Sequence, residues 1–199
     1  MLGTALAFRP LTTDDLPFLV GWFNRPHVYE WWGRRAAPDG IGGAGDDAAT
    51  LEEVEADYGE TDEPRPERHF VIELDRRAIG LIQWYRVDAY PQYASEIEEP
   101  DAAAIDLLIG EKELTGHGLG VDVIRRFTTE IVLPDSGLRR VVGAPDVRNQ
   151  RSIRAFEKAG FRWVRDAEVE DAPAPEHVMA FDCSEMEESP SLSNVCSVD

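Results

Sequence analysis

Basic residues, cysteines and long apolar runs are all scarce in this chain, and each scarcity removes a class of function. Lysine and arginine number 20 against 39 aspartates and glutamates, a formal charge of −19 at pH 7. A field of that sign repels phosphate backbones and anionic lipid surfaces, so neither nucleic acid nor a membrane is an expected partner. A small cationic molecule would instead be drawn in. The competing reading is surface acid that serves solubility alone. The 2 cysteines, Cys183 and Cys196, make neither a disulfide framework nor a metal quartet. No metal is expected, and a reducing cytoplasm is the default location. No apolar run approaches the ~18 residues that cross a bilayer. The N-terminus lacks the basic start and apolar core of a secretory leader.

What remains suits a globular protein. Hydrophobic residues make up 43% of 199 residues and aromatics 9%, enough for one domain with a sizeable core. The expected domain covers 1–183, with Ser184–Asp199 as a disordered tail because it is aperiodic and rich in Ser, Glu and Pro.

Along the chain, Ala5–Leu11 reads as a strand, and Thr12 or Thr13 caps a helix whose apolar face is Leu16, Leu19, Val20 and Phe23. Pro26 opens a short aromatic helix carrying Trp31 and Trp32. Adjacent positions on a helix cannot face the same core. One tryptophan is therefore exposed or lines a cleft. Arg34–Asp47 reads as a flexible loop, and Thr50-Leu51-Glu52-Glu53 as a capping box opening a helix to about Tyr58. His69–Leu74 and Ala78–Val87 flank a turn and read as an antiparallel hairpin, with Gln83 and Tyr85 on one face. Tyr90–Asp101 reads as a loop bearing Glu96, Glu98, Glu99 and Asp101. Those acids are either simply solvated or gather ammonium groups beside the strand that follows.

The centre of the chain is Ala104–Phe161. A short apolar run, Ala104–Ile109, leads to the turn Thr115-Gly116-His117-Gly118-Leu119-Gly120 and then to a helical period over Val121–Leu133. Unpaired N–H groups and the positive dipole end at such a helix start favour an anion. The turn is neither a Walker loop nor a dinucleotide fingerprint, and taken alone it is equally a plain tight turn. Arg139–Ala144 reads as a strand, Asn149–Gly160 as a helix, and Phe161–Glu168 and His177–Phe181 as the last strands. Asp106 interrupts an apolar strand, where a charge needs a partner or a cleft. One reading pairs it with an arginine of a neighbouring strand; the other places it in a site. Asp146, at a strand end, is either a turn aspartate or a ligand-facing one.

The glycine turn followed by Asn149-Gln-Arg-Ser-Ile-Arg-Ala-Phe-Glu-Lys-Ala-Gly-Phe161 resembles the GNAT acetyltransferase superfamily. Asn24-Arg25-Pro26-His27-Val28-Tyr29-Glu30-Trp31-Trp32-Gly33, Ile105-Asp106-Leu107-Leu108 and Phe156–Phe161 narrow the likeness to the aminoglycoside 6'-N-acetyltransferases, over roughly Leu11–Asp182. The resemblance implies an α/β (α+β) fold with a mixed, mostly antiparallel sheet of six or seven strands flanked by helices. It implies acetyl-CoA as cofactor and a cationic aminoglycoside as substrate. Asp106 would be the base, and the Leu108 N–H would polarise the thioester. Leu108, Ile109, Thr115, Gly116, His117, Gly118, Leu119, Gly120, Asn149, Phe156 and Lys158 would hold the cofactor. Trp31, Gln83, Tyr85, Glu96, Glu98, Asp101, Asp106 and Asp146 would face the substrate.

Three positions depart from the family pattern. Phe156 replaces a proton-donating Tyr, Leu114 a Gln or Arg, and His117 a Lys or Arg. They support one alternative, a non-catalytic CoA- or drug-binding module; the other alternative is a GNAT enzyme acetylating a siderophore-precursor hydroxylamine or a protein N-terminus. Both monomer and homodimer fit the sequence.

Overall fold

The computed structural model describes residues 5–32, 48–62, 64–170 and 172–183. The loop read at Arg34–Asp47 and the tail read at Ser184–Asp199 lie outside them. The strands are β1 (Leu6–Pro10), β2 (Arg68–Leu74), β3 (Arg77–Arg86), β4 (Ala103–Ile109), β5 (Arg140–Gly143), β6 (Arg162–Ala167) and β7 (Glu176–Asp182). The helices are α1 (Leu16–Phe23), α2 (Pro26–Trp32), α3 (Leu51–Tyr58), α4 (Pro91–Ile97), α5 (Leu119–Phe127), α6 (Leu133–Ser136) and α7 (Gln150–Ala159). The strands form one 7-stranded sheet in the order β1-β2-β3-β4-β5-β7-β6. The β4–β5 pair is parallel, while β1–β2, β5–β7 and β6–β7 are antiparallel. This is the mixed, mostly antiparallel sheet that the sequence implies.

Packing divides the chain into two compact units. The first holds the residues up to Gln83 together with Leu107–Thr115 and Asp171–Pro173. Its core is Leu16, Leu19, Trp22, Phe23, Val28, Val54, Leu81 and Leu108. The apolar period of α1 supplies four of these residues. Ahead of α1, the Asp15 carboxylate is 4% exposed and takes the Arg9 guanidinium through two 2.6 Å bonds. It also accepts from the Thr12 N–H and hydroxyl. The hydrogen bond from Arg9 is the chief reason its pKa lies below the usual carboxylate range. The capping box at α3 forms as read: Thr50 Oγ1 accepts from the Glu53 N–H, and the Glu53 carboxylate accepts from the Thr50 N–H. Between β2 and β3, Asp75 and Arg76 both take positive φ, 50° and 65°, as a two-residue hairpin turn of the favoured twist requires.

The second unit holds Trp84–Asp106, Gly116–Glu170 and the chain from Ala174 onward. Tyr85, Val87, Ala104, Val142, Ala144, Val178 and Ala180 form the centre of one of its clusters. The stretch read as a loop at Tyr90–Asp101 contains α4. Pro91 occupies its first turn and no side chain caps it, so the usual start signal is missing. The helix read as continuous from Val121 to Leu133 is α5, a wider π-type turn at Thr128–Val132, and α6. The sheet ends in β6, which carries a register shift between Trp163 and Arg165 and leaves Trp163 59% exposed.

Phe156 points from α7 into this core. It is 3% exposed and meets Phe161 edge-on at 5.0 Å. A Cβ added at Gly143 would lie 2.2 Å from its ring. Gly143→Ala is therefore expected to destabilise the protein by about 1–3 kcal/mol through overpacking. Gly21 in α1 has nothing within 4 Å of such a Cβ, so Gly21→Ala should stabilise by up to ~1 kcal/mol through helix propensity. Urea unfolding of the two variants beside wild type checks both signs.

Candidate active site

The second unit holds Asp106, Asp146 and Glu176. Asp106 is half-buried in β4, directly after the fully buried Ile105. β4 pairs with β5 at Ala103 and Ala104 against Val141 and Val142. Asp106 lies just past those pairs. Asp146 follows β5 and bridges to Glu176 at the start of β7. Its Oδ1 accepts from the Arg148 N–H at 2.8 Å and from Arg148 Nε at 2.9 Å. Its Oδ2 accepts from Arg148 Nη2 at 2.5 Å. Asp146 is thus both the turn aspartate of one reading and a half-buried carboxylate with a cation already on it.

Glu176 is 2% exposed and accepts from the Tyr93 hydroxyl at 3.1 Å. Tyr85, 8% exposed, meets Tyr90 edge-on at 5.2 Å. Three of these residues escaped the sequence reading. Glu176 stands just before the strand read from His177, whereas β7 begins at Glu176 itself; an acid bounding a run buried on both faces is the signal that could have found it. Arg148 stands two residues after Asp146, a spacing that suits a local bidentate pair. Tyr93 sat in the stretch read as a loop.

The acids of that stretch have structural work. Glu98 takes left-handed backbone after α4 and pairs with Arg165. Glu99 holds Arg140, which also holds Asp182. Glu96 accepts from Gln92 one helical turn back. Asp101 is exposed.

The residues expected to hold the cofactor fall in three groups. In the first unit, Leu108 is buried, while the Ile109 and Gly110 carbonyls meet His27 Nε2 at 3.1 Å and Arg25 Nη1 at 2.7 Å. Thr115 closes the short turn Lys112–Leu114, its N–H and hydroxyl both donating to the Lys112 carbonyl. In the second unit, Gly116 and Gly118 have φ of 84° and 87°. A Cβ there would meet nothing within 4 Å, so the left-handed backbone rather than lack of room is what calls for glycine. Gly116, His117 and Gly118 are exposed, and Leu119 and Gly120 begin the nine-residue α5. Asn149 caps α7 by accepting from the Ser152 N–H. Lys158 is exposed, and its carbonyl receives Arg125. Phe156 is a core ring.

The substrate-facing candidates of the first unit are Trp31 and Gln83. Both are half-buried. Trp32, not Trp31, stacks on Phe23 at 6.2 Å, which makes Trp32 the inward tryptophan of the pair.

Among the described residues, no group of three or more His, Cys, Asp and Glu could hold a metal ion, and no helix is long and apolar enough to cross a membrane. The family described as Acetyltransferase (GNAT) domain matches residues 12–169. The chain belongs to the GNAT acetyltransferases. It is 29% identical over 177 residues to the aminoglycoside N(6')-acetyltransferase type 1 of Klebsiella pneumoniae, covering 85% of this chain and 80% of that one. The same figures hold for the Serratia marcescens protein of that name. Among solved structures, AAC(6')-Ib in complex with ribostamycin and coenzyme A is similar with a TM-score of 0.78 and 26% identity, over 94% of this chain and 98% of that one. AAC(6')-Ib in complex with coenzyme A gives 0.77 and 27%, over 94% and 100%.

One half-buried side chain contributes to the acid response of this acetyltransferase. His69 bonds Gln83 and meets Tyr58 edge-on at 4.9 Å. Burial, reinforced by the Arg65 charge, pushes its pKa from 6.5 down to about 4. The unfolded chain therefore binds more protons between those values, so stability falls as pH drops from 6.5 toward 4. The loss amounts to about 3 kcal/mol at most. Denaturant titrations should show His69→Gln flattening the profile in that window.

Proposed function

We propose that this acetyltransferase moves an acetyl group from acetyl-CoA to the 6'-amine of aminoglycosides, in the cytoplasm where that cofactor is made. Asp106, a half-buried carboxylate in an otherwise apolar strand, is the observation that carries the reading. The likeness to aminoglycoside acetyltransferases along most of the chain supports it.

The residues of the glycine turn fit a diphosphate. Left-handed Gly116 and Gly118 lead straight into α5, whose first N–H groups and dipole favour an anion. When bound, acetyl-CoA supplies an acetyl thioester. Asp106 first attracts the substrate ammonium, then accepts its proton, directly or through water, so that the nitrogen lone pair is free to attack. The Leu108 N–H would donate to the acetyl oxygen, which gains charge as the C–N bond forms and gives it up as the C–S bond breaks and the thiolate leaves. Phe156 takes no part in protonating the departing thiolate. A thiol with a pKa near ~8.5 leaves without a strong acid. Because Phe156 serves the core, its presence lends nothing to a non-catalytic role.

Incubation with acetyl-CoA should add one acetyl mass to aminoglycosides with a free 6'-amine and none to those with a 6'-hydroxyl. Asp106→Asn should lower kcat/KM by about 10²–10⁴, followed by release of free thiol. No mass gain on any 6'-amine compound would overturn the substrate reading, and full turnover by Asp106→Asn would remove its role.

A further inference from the structure

We propose that the first unit carries a binding site for a small organic anion borne on a flat ring, an aryl phosphate in its simplest form. The site is a cavity of about 540 Å³ between α1 and the β2–β3 turn. Three arginines line it, Arg25, Arg76 and Arg77, against one acid, Glu111. None of its lining residues is among those assigned above to cofactor or substrate. In a chain of net charge −19 this is a local reversal of sign. The cavity favours an anion, whereas the field of the whole chain favours cations.

The arginines are not equally committed. Glu111 takes Arg25 at 2.9 Å and Arg77 at 3.2 Å, and Arg77 also lies 3.8 Å from Glu113. Arg76 is exposed, and among the described residues no acid holds it. The Asp75 carboxylate beside it accepts from the Ala5 N–H at 2.8 Å. An oxyanion therefore finds an open guanidinium fork at Arg76 and a second, shared one at Arg77. Phe18 supplies the surface for a ring. It is 51% exposed and stacks on the buried Trp22 at 6.0 Å. A ring already held by a neighbour loses little freedom when another stacks on it.

Two positions at this cavity run against the preferences of their own elements. Arg76 has φ of 65° at the second central position of the hairpin turn, where glycine is favoured because left-handed backbone crowds a Cβ. Gly21 lies inside α1, where alanine is the better helix former, although a Cβ there would meet nothing within 4 Å. The fold alone asks for glycine at 76 and for a side chain at 21, and the chain has the reverse. That reversal puts a charge on the cavity wall and keeps the space beside α1 open, as a ring-bearing anion requires. Departures from local preference of this kind concentrate where a chain binds something.

The test is calorimetry on the full-length protein with phenyl phosphate as probe, with and without saturating coenzyme A. Wild type should bind phenyl phosphate about tenfold more tightly than inorganic phosphate, the difference being the ring on Phe18. Arg76→Gly should weaken phenyl phosphate about tenfold, while its urea midpoint rises because the turn is relieved. Arg76→Lys should keep most of the affinity, and Gly21→Leu, which fills the space, should abolish binding. Coenzyme A should leave the affinity unchanged. An absence of binding, equal affinity for the two anions, full affinity in Arg76→Gly or Gly21→Leu, or loss of binding when coenzyme A is added overturns the proposal. So does a lowered urea midpoint in Arg76→Gly, which would make Arg76 a brace of the turn. Acetyl transfer is not read in this experiment, so the site stands or falls apart from the catalytic reading.

Discussion

The Ile109 and Gly110 carbonyl oxygens, at the end of β4, are met by side chains, and the packing of the first unit around that strand end rests on this arrangement. Arg25 and His27, at the corner between α1 and α2, reach the Gly110 and Ile109 carbonyls. Arg25 also pairs with Glu111, whose carboxylate takes Arg77 and the Trp22 indole N–H as well. Gly110 has no room for a side chain, because a Cβ would fall 2.1 Å from the Trp22 ring. A backbone carbonyl in a part-buried setting needs a donor, and leaving it without one costs about 1–3 kcal/mol. The run Asn24-Arg25-Pro26-His27 therefore reads best as a clamp. Asn24 completes it by exchanging hydrogen bonds with both backbone groups of Ala49.

Acidic charge in this protein is less idle than its net value suggests. Asp15 organises the start of α1 through Arg9 and Thr12. Glu99 and Asp182 share Arg140, and Asp146 has Arg148. With 20 basic residues against 39 acidic ones, the basic side chains that approach the interior are commonly shared or held by more than one acceptor. What is left over is the long-range negative field, which acts on small cations before they meet any particular group.

Much of the fold was legible because local rules and tertiary packing agree. The Thr50 capping box, the Asn149 cap and the hairpin around Asp75–Arg76 lie where short-range patterns put them. The glycines of the turn before α5 take positive φ as a turn requires. The failures have physical causes too. α4 starts without a capping side chain and is held by burial of Ala94 and Ile97, which no local pattern reveals. Phe156 is an ambiguous residue in sequence, and its contact with Gly143 makes it core. Glu98 pairs with Arg165, a partner distant in sequence. Which acid is available and which is engaged depends on partners that only the folded chain brings together.

The outermost strand, β6, has an implication for behaviour at high concentration. An open strand edge is a template on which another chain can add itself and start fibril-like growth. Here the edge carries charged side chains at Arg162, Arg165 and Asp166, and its register breaks between Trp163 and Arg165. The break twists the strand, and charged side chains on an edge oppose the addition of another strand. Trp163 is carried on that rim with its indole N–H donating to Asp166 and its ring stacked on His177.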